Sequence, residues 1–220
     1  MDTLLFSLLS LAYFILLVLA LRIFKVGSVL FLLPVIAGLV YDNGIIASGR
    51  FIGEGPLLEG LNLVRFWIHA FFTPLLTLFS WKTLDQAEIS WAKSSITRIS
   101  AFLLTLLLIL LELFTEVFGL ELEPRLEYGV LSYSSAETSG GPPLMVLMVS
   151  FVLLAASIVI WRKQKWAWFF IGSLLMIIGS AVELPVESGA VTNIFELILL
   201  SSLLATAYFQ GKPSDLRKNS

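Results

Sequence analysis

The 220 residues contain no cysteine, and that one absence removes several chemistries together. Disulfides, thiol nucleophiles, iron–sulfur clusters and cysteine-ligated zinc are all excluded. Histidine occurs once, as His69, so no site built on two or three imidazoles of one chain is available. Charge is scarce as well. Asp, Glu, Lys and Arg make up 14% of the chain, against about 25% in an ordinary soluble domain. The formal net charge of −2 offers none of the basic surface that binding a nucleic acid requires.

Apolar residues fill the space instead, at 58% of the chain with a mean hydropathy of +0.93. They fall into seven runs, about 3–24, 27–48, 61–80, 98–119, 143–161, 166–184 and 190–209. Roughly 20 apolar residues in a helix cross the hydrocarbon core of a bilayer. The predicted fold is an all-α integral membrane protein, a bundle of about seven transmembrane helices. Residues 1–211 form one polytopic domain and 212–220 a polar tail. Val18-Leu19-Ala20 resembles a signal-peptide cleavage site, but Asp2 precedes the first run while Arg22 and Lys25 follow it. That charge order is the reverse of a signal peptide's, so the run is read as a retained helix.

Lys and Arg set the expected orientation. Alternate connections hold Arg22 and Lys25; Lys82, Lys93 and Arg98; Arg162, Lys163 and Lys165; and Lys212, Arg217 and Lys218. The opposite side has only Arg50, Arg65 and Arg125. An odd number of spans follows, with the N-terminus outside, the C-terminus cytoplasmic, and the plasma membrane as the expected location. Trp81, Trp91, Trp161, Trp166 and Trp168 flank the basic connections, where indoles favour the headgroup region. Trp81, Leu84 and Trp91 fall near one face of segment 81–96, which suggests a short interfacial helix. The external connection 120–142, with Ser132, Tyr133, Ser134, Ser135, Ser139 and 140–143, suggests a flexible cap or entrance. Glu121-Leu122-Glu123-Pro124 and Glu183-Leu184-Pro185 are too short a match to establish a repeat.

Ionisable groups inside a bilayer are costly, about 2.5–3.5 kcal/mol at a helix centre on insertion scales, so their positions are the most informative feature. Tyr41-Asp42-Asn43, Arg65 and His69, Glu112 and Glu116, Glu183, and Asn193 and Glu196 all fall in the outer halves of their spans. Residues four apart share a helix face, which groups Arg65 with His69, Glu112 with Glu116 and Glu183 with Glu187. Facing inward together, they would form an acidic cup containing one arginine and one histidine.

Each has a plainer reading. Glu116 and Glu183 can sit solvated at the interface, Asp42 and Asn43 can cap a helix, and Arg65 can snorkel to a headgroup. His69 and Glu112 can simply join helices by a hydrogen bond. Thr73-Pro74, after His69, predicts a kink, because proline removes a backbone donor. Gly38 and Gly44 favour close helix approach. The stretch 49–56 holds Arg50 among glycines; it can turn flexibly or bind an anion such as a lipid phosphate, although it is no P-loop.

Three functional classes remain open on sequence alone. One is an enzyme acting on a lipid or isoprenoid by acid–base chemistry such as isomerisation, cyclisation or hydration. There Glu112 donates a proton, Glu196 or Asp42 acts as base or stabilises a cation, and His69 relays. Arg65 anchors an anionic headgroup, with Asn43, Arg50 and Glu116 as further substrate contacts. No cofactor is called for, and the expected partners are membrane lipids; whether a protein partner exists is not legible. The other classes are a non-catalytic assembly or accessory protein, and a proton- or ion-coupled transporter. A hard-cation or iron site at Asp42, His69, Glu112 and Glu116 is a variant that geometry must test. Retinal binding is disfavoured because the last span has no lysine.

Overall fold

A computed structural model describes residues 2–136, 144–181 and 188–212. Eight helices and one β-hairpin follow in order: α1 (Asp2–Arg22), α2 (Val29–Ile52), α3 (Pro56–Phe72), α4 (Leu75–Gln86), α5 (Ser95–Glu112), β1 (Leu122–Glu127), β2 (Val130–Ser135), α6 (Leu144–Gln164), α7 (Trp168–Ala181) and α8 (Val191–Gly211). Counting α3 with α4 as one broken span, six helical segments are long and apolar enough to cross a membrane; α7 is a shorter apolar helix. The chain is a polytopic, predominantly helical membrane protein.

Helix α1 shows how such a bundle is built. Both of its faces are apolar, yet Phe6, Leu9, Tyr13 and Leu16 are buried while Leu4, Leu8, Leu11 and Ile15 are exposed. In water the second set would be a liability; in lipid it is solvated. Asp2 secures the start of α1, where its Oδ2 accepts from Ser188 Oγ and from the Gly189 N–H, both at 2.9 Å, tying it to the start of α8. Helices α7 and α8 pack closely because Gly172 lies against Ser202 and Gly179 against the Phe195 ring, where any Cβ would collide.

The third span is broken at the kink expected at Thr73-Pro74. Helix α3 ends at Phe72 and α4 begins at Leu75. Pro74 has no N–H to continue the ladder, and the backbone tightens into Leu76 N–H to Thr73 O and Thr77 N–H to Pro74 O contacts. The two halves serve different neighbours: α3 packs against α2 and the hairpin, α4 against α6, α5 and α2. The expected interfacial helix at 81–96 is corrected. Residues 81–86 complete α4, and only Trp91–Lys93 form a short 3₁₀ turn before Ser94, whose Oγ accepts the Thr97 N–H and caps α5.

The connection expected to be a flexible cap contains an ordered hairpin, a departure from a purely helical fold. Leu122–Glu127 pairs antiparallel with Val130–Ser135 in continuous register. Tyr128 and Gly129 both have positive φ, at 50° and 85°, as a two-residue hairpin turn requires. Thr3 Oγ1 and Arg50 Nη1 donate to the Gly129 carbonyl at 3.1 and 3.4 Å, and the Gly55 N–H donates to the Tyr133 hydroxyl at 3.1 Å. Gly49 lets the hairpin reach α2, because a Cβ there would occupy the position of the Leu131 carbonyl oxygen. The glycine stretch around Arg50 is thus mostly helix: α2 runs to Ile52, and only 53–55 form the turn. Ser139, residues 140–143, Glu183, Glu187 and the tail beyond 212 lie outside the described residues.

At the other end of the bundle, Gln210 Nε2 donates to the Thr83 carbonyl and to Gln164 Oε1. Trp166 donates to Thr206 Oγ1 at 3.0 Å and stacks on Phe209. Trp81 donates to the Ala92 carbonyl. These two indoles bind the protein itself, whereas Trp91, Trp161 and Trp168 are exposed. Arg22, Lys82, Lys93, Arg162, Lys163 and Lys165 all belong to this basic end.

Candidate functional site

Helices α2, α3, α6 and α8 surround a cavity of about 260 Å³, with Leu76 of α4 and Met176 of α7 completing its wall. Asp42, Arg65, His69, Asn193 and Glu196 all line it. Helical spacing produces the arrangement. Arg65 and His69 are one turn apart on α3, and Val35, Gly38, Leu39 and Asp42 share one face of α2. Gly38 is required by the proximity of α3, since a Cβ would come within 2.6 Å of Ile68 Cγ2.

Polarity changes with depth. Toward the hairpin end lie the charged groups; toward the middle of the bundle the cavity is closed by Val35, Phe72, Leu76, Leu153, Leu199 and Leu200. Ser150 adds a hydroxyl from α6, opposite α3. No packed interface joins α3 to α6 across this space.

One ion pair and one histidine–carboxyl approach organise the polar end. Arg65 Nε donates to Asp42 Oδ1 at 2.7 Å, and its Nη1 donates to Asn62 Oδ1 at 2.6 Å. Asn62 is buried and returns its own Nδ2 to the Leu58 carbonyl at 2.7 Å. His69 Nε2 lies 3.7 Å from Glu112 Oε1, too long for a hydrogen bond. On the other side of the ring, Nδ1 is 3.2 Å from Thr73 Oγ1. The imidazole is therefore held between a hydroxyl and a carboxyl group. The His69 side chain is 42% accessible and faces the cavity, whereas that of Glu112 is 5% accessible and stands behind it.

A third set of contacts carries no charge. Tyr13, fully buried on α1, donates its hydroxyl to the Asn193 carbonyl at 2.7 Å. Asn193 Nδ2 donates to Asn43 Oδ1 at 3.1 Å, and Asn43 Nδ2 donates to the Leu39 carbonyl. Helices α1, α8 and α2 are thereby linked one turn from Glu196. Glu196 Oε2 and Glu112 Oε2 are both shielded without a hydrogen-bond partner among the described residues.

Of the residues singled out by sequence, Asp42, Arg65, His69 and Glu196 meet at the cavity, and Glu112 reaches it through His69. Asn43 lies behind the wall as a partner of Asn193. Arg50 is exposed at the hairpin turn, and Glu116 is half-buried in the π-helical turn Leu113–Val117, outside the cavity lining. The four-residue pairing of Glu112 with Glu116 belongs to an α-helix, and the winding changes immediately after Glu112. Among the described residues, no group of three or more His, Asp or Glu side chains is arranged to hold a metal ion. Sequence reasoning missed Tyr13, Asn62 and Ser150, and noted Thr73 only for the kink. Asn62, an amide three residues from Arg65 within an apolar run, was the one with a usable signal.

No protein family, curated protein or solved structure matches the chain. The functional reading rests on the cavity.

Proposed function

We propose that the cavity is the active site of a membrane-embedded enzyme that moves protons on a lipid or isoprenoid. The observation that carries this reading is the meeting of Asp42, Arg65, His69, Asn193 and Glu196 in one largely apolar cavity. Three helices contribute these groups, and placing them together in a bilayer has a cost that function would explain. The proposed topology is seven spans, α3 and α4 counting as one, with the hairpin end outside and the basic end cytoplasmic in a plasma membrane.

His69 is the group placed to meet the substrate; Glu112 acts through it, as the proton reservoir that also sets the ring's orientation. Glu196, free at Oε2, receives a proton from the substrate or stabilises positive charge developing on it. Asp42, held by Arg65, supports that charge from the α2 side. A proton delivered at one carbon and removed from another leaves mass unchanged, giving isomerisation or cyclisation. Capture of a water molecule in place of proton loss gives hydration.

Transport is less well supported. Below the cavity, Thr77, Ser80, Thr83, Ser202 and Thr206 all donate to carbonyls of their own helix or its N-terminal turn. They offer little continuation of the charged set toward the basic end.

Expression in a host that makes neutral isoprenoids, followed by mass spectrometry of extracted lipids, tests the enzyme reading. The wild type should yield an isomeric or hydrated product. Glu112→Gln should reduce that product by about 10²-fold or more, with unchanged membrane insertion and detergent behaviour. Identical lipid profiles from wild type, variant and empty host would reject the reading.

A further inference from the structure

The charge arrangement says what kind of polar end the cavity accepts. Among the described residues Arg65 is the one permanently charged cation in the lining, and its charge is matched by Asp42, which accepts from Nε at 2.7 Å, while Nη1 donates to Asn62 at 2.6 Å. Against it stand three carboxyl groups, those of Asp42 and Glu196 in the lining and that of Glu112 behind His69. Glu196 and Glu112 each keep a shielded oxygen with no partner among the described residues. A phosphate or carboxylate entering here would find no uncompensated positive charge, because Arg65 is paired with Asp42 and neither Glu196 nor Glu112 can supply one. Taking an anion out of water without a partner is strongly unfavourable. The shape adds a second restriction. A cavity of about 260 Å³ sits just below the range of about 300–1,000 Å³ usual for small-molecule sites. That is far less than a two-chain phospholipid needs.

Building on the enzyme reading, we infer that the cavity takes a short or singly inserted isoprenoid-like chain whose polar end is neutral or cationic, and that it rejects anionic headgroups. The polar end lies beside Glu196 and Asp42, and the chain runs toward Leu76, Leu153 and Leu200. Arg65 is the structural counter-ion of Asp42, not a receptor for an anion. This revises the sequence-based assignment of Arg65 to headgroup binding. It also makes chemical sense of the surplus carboxyl groups, since a substrate that becomes positively charged on protonation is stabilised where an anion is repelled.

Titration calorimetry on the purified full chain in neutral detergent tests this with three probes sharing one chain: geranylamine, geraniol and geranyl monophosphate. The amine should bind at least about tenfold more tightly than the phosphate, with the alcohol between them. Glu196→Gln should narrow the gap between amine and phosphate while leaving alcohol binding near its wild-type value. The wild-type order decides by itself, even if that variant folds poorly. Equal or tighter binding of the phosphate overturns the inference, as does failure of all three probes to bind. Turnover is a separate readout. An amine preference in a catalytically inert protein supports the charge argument and removes the enzyme reading; tight phosphate binding in an active protein does the reverse.

Discussion

The two ends of the bundle both bury polar side chains, but they treat them differently. Toward the basic end, Ser80 and Thr83 donate to carbonyls one turn back in α4, and Thr206 does so in α8. The ties between helices at this end are neutral: Gln210 with Thr83 and Gln164, Trp166 with Thr206, and Thr77 with Thr105. Toward the hairpin end the ties between helices include ionisable groups: Arg65 of α3 with Asp42 of α2 and His69 of α3 near Glu112 of α5, beside the neutral pair Tyr13 of α1 with Asn193 of α8. A polar group that bonds its own backbone could be carried by almost any membrane helix. A group that depends on another helix fixes where that helix must be, and the cavity lies where the charged dependencies accumulate.

Breaking the dependency at Arg65 should have the largest effect. Arg65→Leu strands the Asp42 carboxylate and is expected to cost about 3–5 kcal/mol, measured as lowered resistance to denaturing detergent. Pairing Asp42→Asn with Arg65→Gln should recover much of that loss, because neither charge is then left alone. Gly49→Val should come next. It forces the hairpin away from α2, with a cost of about 1–3 kcal/mol from overpacking and new protease cleavage within 122–135. The smallest contrast compares one hydroxyl from each kind. Tyr13→Phe removes a bond between helices and should cost about 0.6 kcal/mol. Ser80→Ala removes only a bond within α4 and should cost less. Equal losses for those two variants would erase the distinction between bonds that join helices and bonds within one helix.

The sequence made the charged half legible for an energetic reason. Asp42, Arg65, His69, Glu112 and Glu196 stand out because each interrupts an apolar run, and residues that are costly in lipid are seldom placed at random. Neutral partners gave weaker signals. Tyr13 reads as one more core aromatic, and only the fold places its hydroxyl against Asn193. The buried face of α1 was illegible as well, because the exposed face is equally apolar and sequence periodicity has nothing to contrast. The hairpin was hidden by its turn. Tyr128-Gly129 carries tyrosine where asparagine or aspartate is the usual signal, and Pro124 weakens the strand pattern around it.

Helix α8 has a consequence for how this chain can change in length. Its start is joined to Asp2 through Ser188 and Gly189, and its end is tied to Thr83 and Gln164 through Gln210. Between them, Glu196 must face the cavity. One inserted residue would advance everything beyond it by 1.5 Å and rotate it by about 100°, so either Glu196 or Gln210 would leave its place. The connections at the ends of the bundle can lengthen or shorten around this helix, but its 21 residues act as a fixed gauge between the two ends.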